Sequence, residues 1–133
     1  MTTTVKDLAG QPAVLLVDGD VSVRTSSAEY LRHDGFAVVE ASRGKEALDI
    51  LQTASFDLVI TAKETPGSID GLFLLHWLQQ HRPDTKTMLS APYNNLEQSF
   101  PRDTVLLAKP YHLSDLNNAV RACLKPDKRV MRS

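Results

Sequence analysis

Short apolar runs rich in β-branched residues alternate along this chain with segments of helical periodicity, and that alternation restricts the fold more than any other feature. The runs are Ala13-Val14-Leu15-Leu16-Val17, Phe36-Ala37-Val38-Val39-Glu40-Ala41, Leu58-Val59-Ile60, Lys86-Thr87-Met88-Leu89-Ser90 and Thr104-Val105-Leu106-Leu107. A run that is apolar at nearly every position reads as a strand buried on both faces of a parallel sheet. Between the runs lie helical patterns. The first covers about 22–33, with Val23, Ser27 and Leu31 on one face, and Gly35 stops it. The second starts from a cap at Ser42 and presents Ala47, Leu48, Ile50 and Leu51. A third covers about 71–81 and ends before Pro83. The last covers about 114–124, begins at Ser114, and is apolar at Leu116, Val120 and Cys123.

Strands alternating with helices predict an α/β domain with helices on both faces of a parallel sheet. Right-handed crossovers favour a doubly wound, five-stranded sheet of order 2-1-3-4-5. One link is poor. Residues 91–103 carry Pro92, Asn94, Asn95 and Pro101, so at most a two-turn helix fits, around 95–99. The fourth helix is therefore expected to be short or irregular. The domain is expected to span 13–125, after a lead-in over 1–12 and before a basic tail over 126–133. In this topology the ends of strands one, three, four and five converge on one crevice. They bring Asp18-Gly19-Asp20, Ala62, Ser90 and Lys109 together.

Composition narrows the function classes. A formal net charge of -1 offers no bulk attraction for nucleic acid or an anionic membrane. No apolar stretch approaches the roughly 20 residues of a membrane span, and the first residues lack a signal-peptide core. Cys123 is the single cysteine, which suits a reducing compartment, so a cytoplasmic location is expected. His33, His76, His81 and His112 show no metal-ligand spacing.

Five motifs in order, from about residue 14 to residue 124, resemble the receiver domain of bacterial response regulators. They are Val14-Leu15-Leu16-Val17-Asp18-Gly19-Asp20, Asp57-Leu58-Val59-Ile60-Thr61-Ala62, Pro66-Gly67 with Asp70-Gly71, Leu89-Ser90-Ala91, and Ala108-Lys109-Pro110. The resemblance implies a flavodoxin-like fold of the CheY type and a role in two-component phosphorelay signalling. In such domains an aspartate accepts a phosphoryl group from a histidine kinase. A Mg²⁺ ion offsets the charge, and a Ser/Thr and a Lys hold the phosphoryl oxygens. Carried over by position, Asp18 matches the first acidic residue of the family's pair, Ser90 the switch hydroxyl and Lys109 the phosphate-binding lysine.

The departures are as informative as the matches. Ala62 stands where the acceptor aspartate belongs, and Gly19 where the direct metal ligand belongs. Asp20 matches an acidic neighbour that normally points away. Leu106 replaces the switch aromatic, and one residue is inserted between Pro66-Gly67 and Asp70-Gly71. A methyl group is no nucleophile, and Mg²⁺ usually takes one or two carboxylates in an octahedral oxygen shell. The resemblance with these gaps implies a degenerate receiver that takes no phosphate at Ala62. It implies weak Mg²⁺ binding through Asp18 at most, or none, and no cofactor. Lys109 is expected to turn to Asp18, and Glu64 is a further candidate to reach the pocket.

Such a module acts by protein–protein contact, with a histidine kinase or a downstream effector as partner and a homodimer as a further possibility. Phe73 and Trp77, placed opposite Leu72, Leu75 and Leu78 on the third helix, form a candidate partner surface or else cover a neighbouring loop. Two alternatives stand beside this reading. One is a conventional receiver with its aspartate replaced by alanine, although Gly19, the inserted residue and Leu106 speak for natural divergence. The other is a phosphatase similar to the haloacid dehalogenases, with Asp18 as nucleophile and Asp20 as general acid.

Overall fold

The computed structural model describes residues 3–4, 10–95, 100–101 and 103–124. The five runs form parallel strands: β1 (Ala13–Val17), β2 (Ala37–Ala41), β3 (Leu58–Ala62), β4 (Lys86–Pro92) and β5 (Val105–Lys109). They build one sheet in the order β2-β1-β3-β4-β5, the 2-1-3-4-5 arrangement expected of the alternation. Four helices accompany it among the described residues: α1 (Val21–His33), α2 (Gly44–Leu51), α3 (Gly71–His81) and α4 (Leu113–Cys123).

Alternate residues of each strand feed opposite sides of the sheet. On one side Val14, Leu16, Ile60, Met88 and Leu107 meet Ala28 and Leu31 of α1 and Leu116 and Val120 of α4. On the other, Leu15, Val17 and Val59 meet Ala47 and Leu51 of α2 and Leu74 and Leu78 of α3. Cover on this second side thins toward β5. Thr61, Leu89 and Leu106 are register neighbours on adjacent strands, and they are 0%, 1% and 40% exposed. The link from β4 to β5 holds a single 3-10 turn, Tyr93–Asn95, among its described residues. The two-turn helix expected around 95–99 lies almost wholly outside the described residues, as does the basic tail.

Helix starts follow local carboxylates. Asp20 caps α1, its side chain accepting from the Val23 N–H at 3.1 Å. Asp70 caps α3 in the same way through the Phe73 N–H at 2.9 Å. The expected cap at Ser42 is corrected. The chain stays extended through Arg43, which takes the N-cap position of α2 without a side-chain bond. The Glu46 carboxylate instead reaches back to the Ser42 N–H at 2.7 Å and to its hydroxyl at 3.2 Å. α4 starts at Leu113, one residue before the expected Ser114, with the Asp115 carboxylate accepting from the His112 N–H at 3.3 Å.

Two further features depart from the sequence pattern. The lead-in is not wholly loose, because Thr3–Thr4 pairs in parallel with Ala54–Ser55. On α3 the buried stripe is Gly71, Leu74, Leu75 and Leu78, an i, i+3, i+4, i+7 set, while Leu72 is only half-buried. At the outer edge of the sheet, the Arg32 Nη2 donates to the Val38 carbonyl of β2 at 2.8 Å. Glu40, also on β2, holds Arg32 at 3.0 Å and Arg24 at 3.3 Å.

Candidate functional site

The crevice lies where β1, β3, β4 and β5 end together. Register places Val17 beside Thr61, Ala62 beside Ser90, and Pro92 beside Lys109. The strand ends are stitched across: the Asp18 N–H donates to the Ala41 carbonyl at 3.1 Å, and the Lys63 N–H to the Ser90 carbonyl at 2.8 Å. Asp18, Ala62 and Ser90 are buried, at 4%, 5% and 2% exposure.

Asp18 is the electrostatic centre of the crevice. The Lys109 ammonium donates to Asp18 Oδ2 at 2.8 Å. Asp18 Oδ1 accepts from the Asp20 N–H at 2.9 Å, and the Asp18 carbonyl accepts from Arg24 Nη1 at 2.8 Å. Both carboxylate oxygens are therefore engaged within the chain. Asp20 is exposed, and its carboxylate serves the α1 cap. Glu64 is exposed on the loop after β3.

The loop between β3 and α3 closes down on small residues. A Cβ at Gly19 would lie 3.0 Å from Pro66 Cδ and 3.5 Å from the Ser42 carbonyl oxygen, so a side chain there must push the proline ring aside by a few tenths of an ångström. A Cβ at Gly71 would sit 2.1 Å from the Ala62 carbonyl oxygen, which leaves room for glycine alone. The Thr65 hydroxyl accepts from the Gly44 N–H at 3.2 Å and donates to the Ile69 carbonyl at 2.8 Å, tying the loop to the start of α2.

Beside the crevice, Tyr111 and Ser27 share a hydrogen bond at 3.0 Å between hydroxyls. Burial raises the Tyr111 hydroxyl above its ordinary value, the Ser27 bond lowers it, and the Asp18 and Asp20 charges push it up again. Neither residue was marked by the motifs. An aromatic two positions after Lys109 and a serine on the inner face of α1 are the signals that could have found them.

The aromatic pair of α3 divides. Phe73 is 47% exposed. Trp77 is half-buried against the core, with His81 stacked on it at a centroid distance of 4.5 Å and the Arg82 guanidinium 5.4 Å from its ring centre. No described helix is long and apolar enough to cross a membrane. Among the described residues, no three His, Cys, Asp or Glu side chains cluster as a metal site would require.

Comparison with known proteins agrees with this geometry. The profile of the response regulator receiver domain matches residues 14–121. The chain is 32% identical over 125 residues to the sensor kinase CckA of Brucella abortus (strain 2308), covering 90% of itself and 13% of that kinase. It is 31% identical over 115 residues to the response regulator receiver protein CpdR of the same strain, covering 84% of itself and 95% of that protein. The crystal structure of the receiver domain of the hybrid histidine kinase CckA superposes with a TM-score of 0.72 at 30% identity, covering 85% of this chain and 99% of that one. With its strand order, its crevice and its matched residues taken together, the chain belongs to the response regulator receiver domain family of two-component signalling.

Proposed function

We propose that this receiver domain signals through protein–protein contact with a histidine kinase or effector, without a phosphoryl group at position 62. The observation that carries the reading is the residue itself. Ala62 ends β3 beside Ser90, at the floor of the crevice, and offers a methyl group where the family's chemistry needs a carboxylate. Ser90 and Lys109 are the remnants of a phosphoryl-binding set, and Lys109 is turned to Asp18.

The residues present do not fit a Mg²⁺ ion. Its octahedral shell calls for oxygen donors with one or two carboxylates among them. Here Gly19 supplies no side chain, Ala62 no side-chain oxygen, and Asp18 has both carboxylate oxygens engaged. The phosphatase alternative loses support for a related reason: its general acid would be Asp20, whose carboxylate caps α1. On this reading the domain is a cytoplasmic signalling module and not an enzyme.

The test is exposure of the intact chain to acetyl phosphate, or to a phosphorylated histidine kinase domain, with Mg²⁺, followed by mass measurement. The unmodified chain should gain no phosphoryl mass. A variant carrying Ala62→Asp and Gly19→Asp should gain it, once Pro66 has yielded to the new side chain. Phosphoryl mass on the unmodified chain would overturn the reading, and the labelled residue would show whether Asp18 has taken over as nucleophile.

A further inference from the structure

We infer that the Lys109 ammonium is the resident cation of this crevice, holding the Asp18 carboxylate in the place a divalent ion would otherwise take. This rests on Ala62 being the residue with which the chain works. The argument begins with cost. A carboxylate as deeply buried as Asp18, 4% exposed, is stable only if paired and hydrogen-bonded. The chain meets that need entirely from within. Lys109 Nζ lies at 2.8 Å from one oxygen and the Asp20 N–H at 2.9 Å from the other.

Two losses make this arrangement self-sufficient. With no carboxylate at 19 or 62, Asp18 is left as the buried carboxylate among the matched crevice positions, and the Lys109 ammonium pairs with it. A divalent ion added to the same floor would have to displace Lys109 from the Asp18 carboxylate. The Arg24 guanidinium, paired with Glu40 at 3.3 Å, donates to the Asp18 carbonyl at 2.8 Å and fixes the Asp18 backbone from α1. The replacement is also geometrically fixed. Lys109 ends β5 and Asp18 follows β1, so the sheet holds both ends of the pair.

The experiment is thermal melting of the full chain in EDTA and in millimolar MgCl2, repeated for Lys109→Met and for the double variant Asp18→Asn/Lys109→Met. The unmodified chain should melt at the same temperature in both buffers. Lys109→Met should melt lower, and MgCl2 should raise its melting temperature, because the stranded carboxylate then accepts the external ion. The double variant should melt above Lys109→Met and ignore MgCl2. An unmodified chain that MgCl2 stabilises, or a Lys109→Met chain indifferent to it, would overturn the inference. If Lys109→Met does not fold, the double variant decides. Its folding locates the cost on the unpaired Asp18, and its failure to fold counts against the inference. Phosphoryl mass reports on the proposed function and the melting shift on the resident cation, so the two fail separately.

Discussion

Tyr111 shows how a single hydroxyl ties the crevice to the body of the domain. Its bond to Ser27, which is 1% exposed, joins the segment after β5 to the inner face of α1. Removing the hydroxyl leaves Ser27 buried without that partner, so Tyr111→Phe should cost about 1 kcal/mol at neutral pH. The same variant carries a pH signature. Burial, opposed by the Ser27 bond and aided by the Asp18 and Asp20 charges, raises the Tyr111 hydroxyl in the folded state. The folded chain therefore holds this proton more tightly than the unfolded chain. The associated stability is complete below the ordinary tyrosine value and is lost as pH rises through the folded one. Burial also raises Cys123, against the pull of Lys86, and it titrates in the same alkaline region. Chemical denaturation across alkaline pH, with Cys123→Ala as the common background, should show a flatter decline for Tyr111→Phe than for its parent. The Asp18–Lys109 pair was legible in the sequence, because the strand ends converge on one crevice and the receiver resemblance, with Ala62 in the acceptor position, left Asp18 as the nearest carboxylate for Lys109. The Tyr111–Ser27 bond was not, because it depends on how α1 is rotated against the sheet.

Elements obey pattern where packing is dense and depart from it where a large side chain reaches across a boundary. Helical geometry puts Trp77 opposite the leucines of α3, yet its indole is half-buried against the core on the α2 side. Arg82 closes over it while donating to the Leu51 carbonyl at the end of α2 at 2.6 Å, a reach that residue spacing does not encode. The strands themselves were readable to within a residue or two, since each is built around a short apolar run. What the runs could not convey is the unequal cover of the sheet. Leu89 and Leu106 are both leucines in strand patterns, but one is 1% and the other 40% exposed. Truncation should separate them. Leu89→Ala should cost about 3 kcal/mol, the usual loss for a core leucine. Leu106→Ala should cost about 1 kcal/mol, because much of its surface already meets water. Urea midpoints of the two variants check this, and equal losses would mean that Leu106 is covered in solution.

At the scale of the whole molecule, this chain spans 13% of the CckA sensor kinase and 95% of CpdR, so its relatives include both a part of a large protein and a nearly coextensive one. On the proposed function, partner recognition falls to the surface of the domain, and Phe73 is the exposed aromatic of α3. Exposed aromatics at the centre of an interface carry large shares of binding energy, so Phe73→Ala should weaken binding to the histidine kinase domain or effector by about tenfold. Its melting temperature should barely move. Calorimetry against that partner reads both the affinity and the stoichiometry, and an unchanged affinity would remove Phe73 from the contact. At the outer rim of the sheet, Arg32 has a different consequence. The Val38 carbonyl that it occupies is a hook on which a foreign strand would begin to add to the rim of the sheet. With a guanidinium already seated there and Glu40 holding it in place, fibre growth from that rim must first evict a charged group, and crowding alone gives it no foothold.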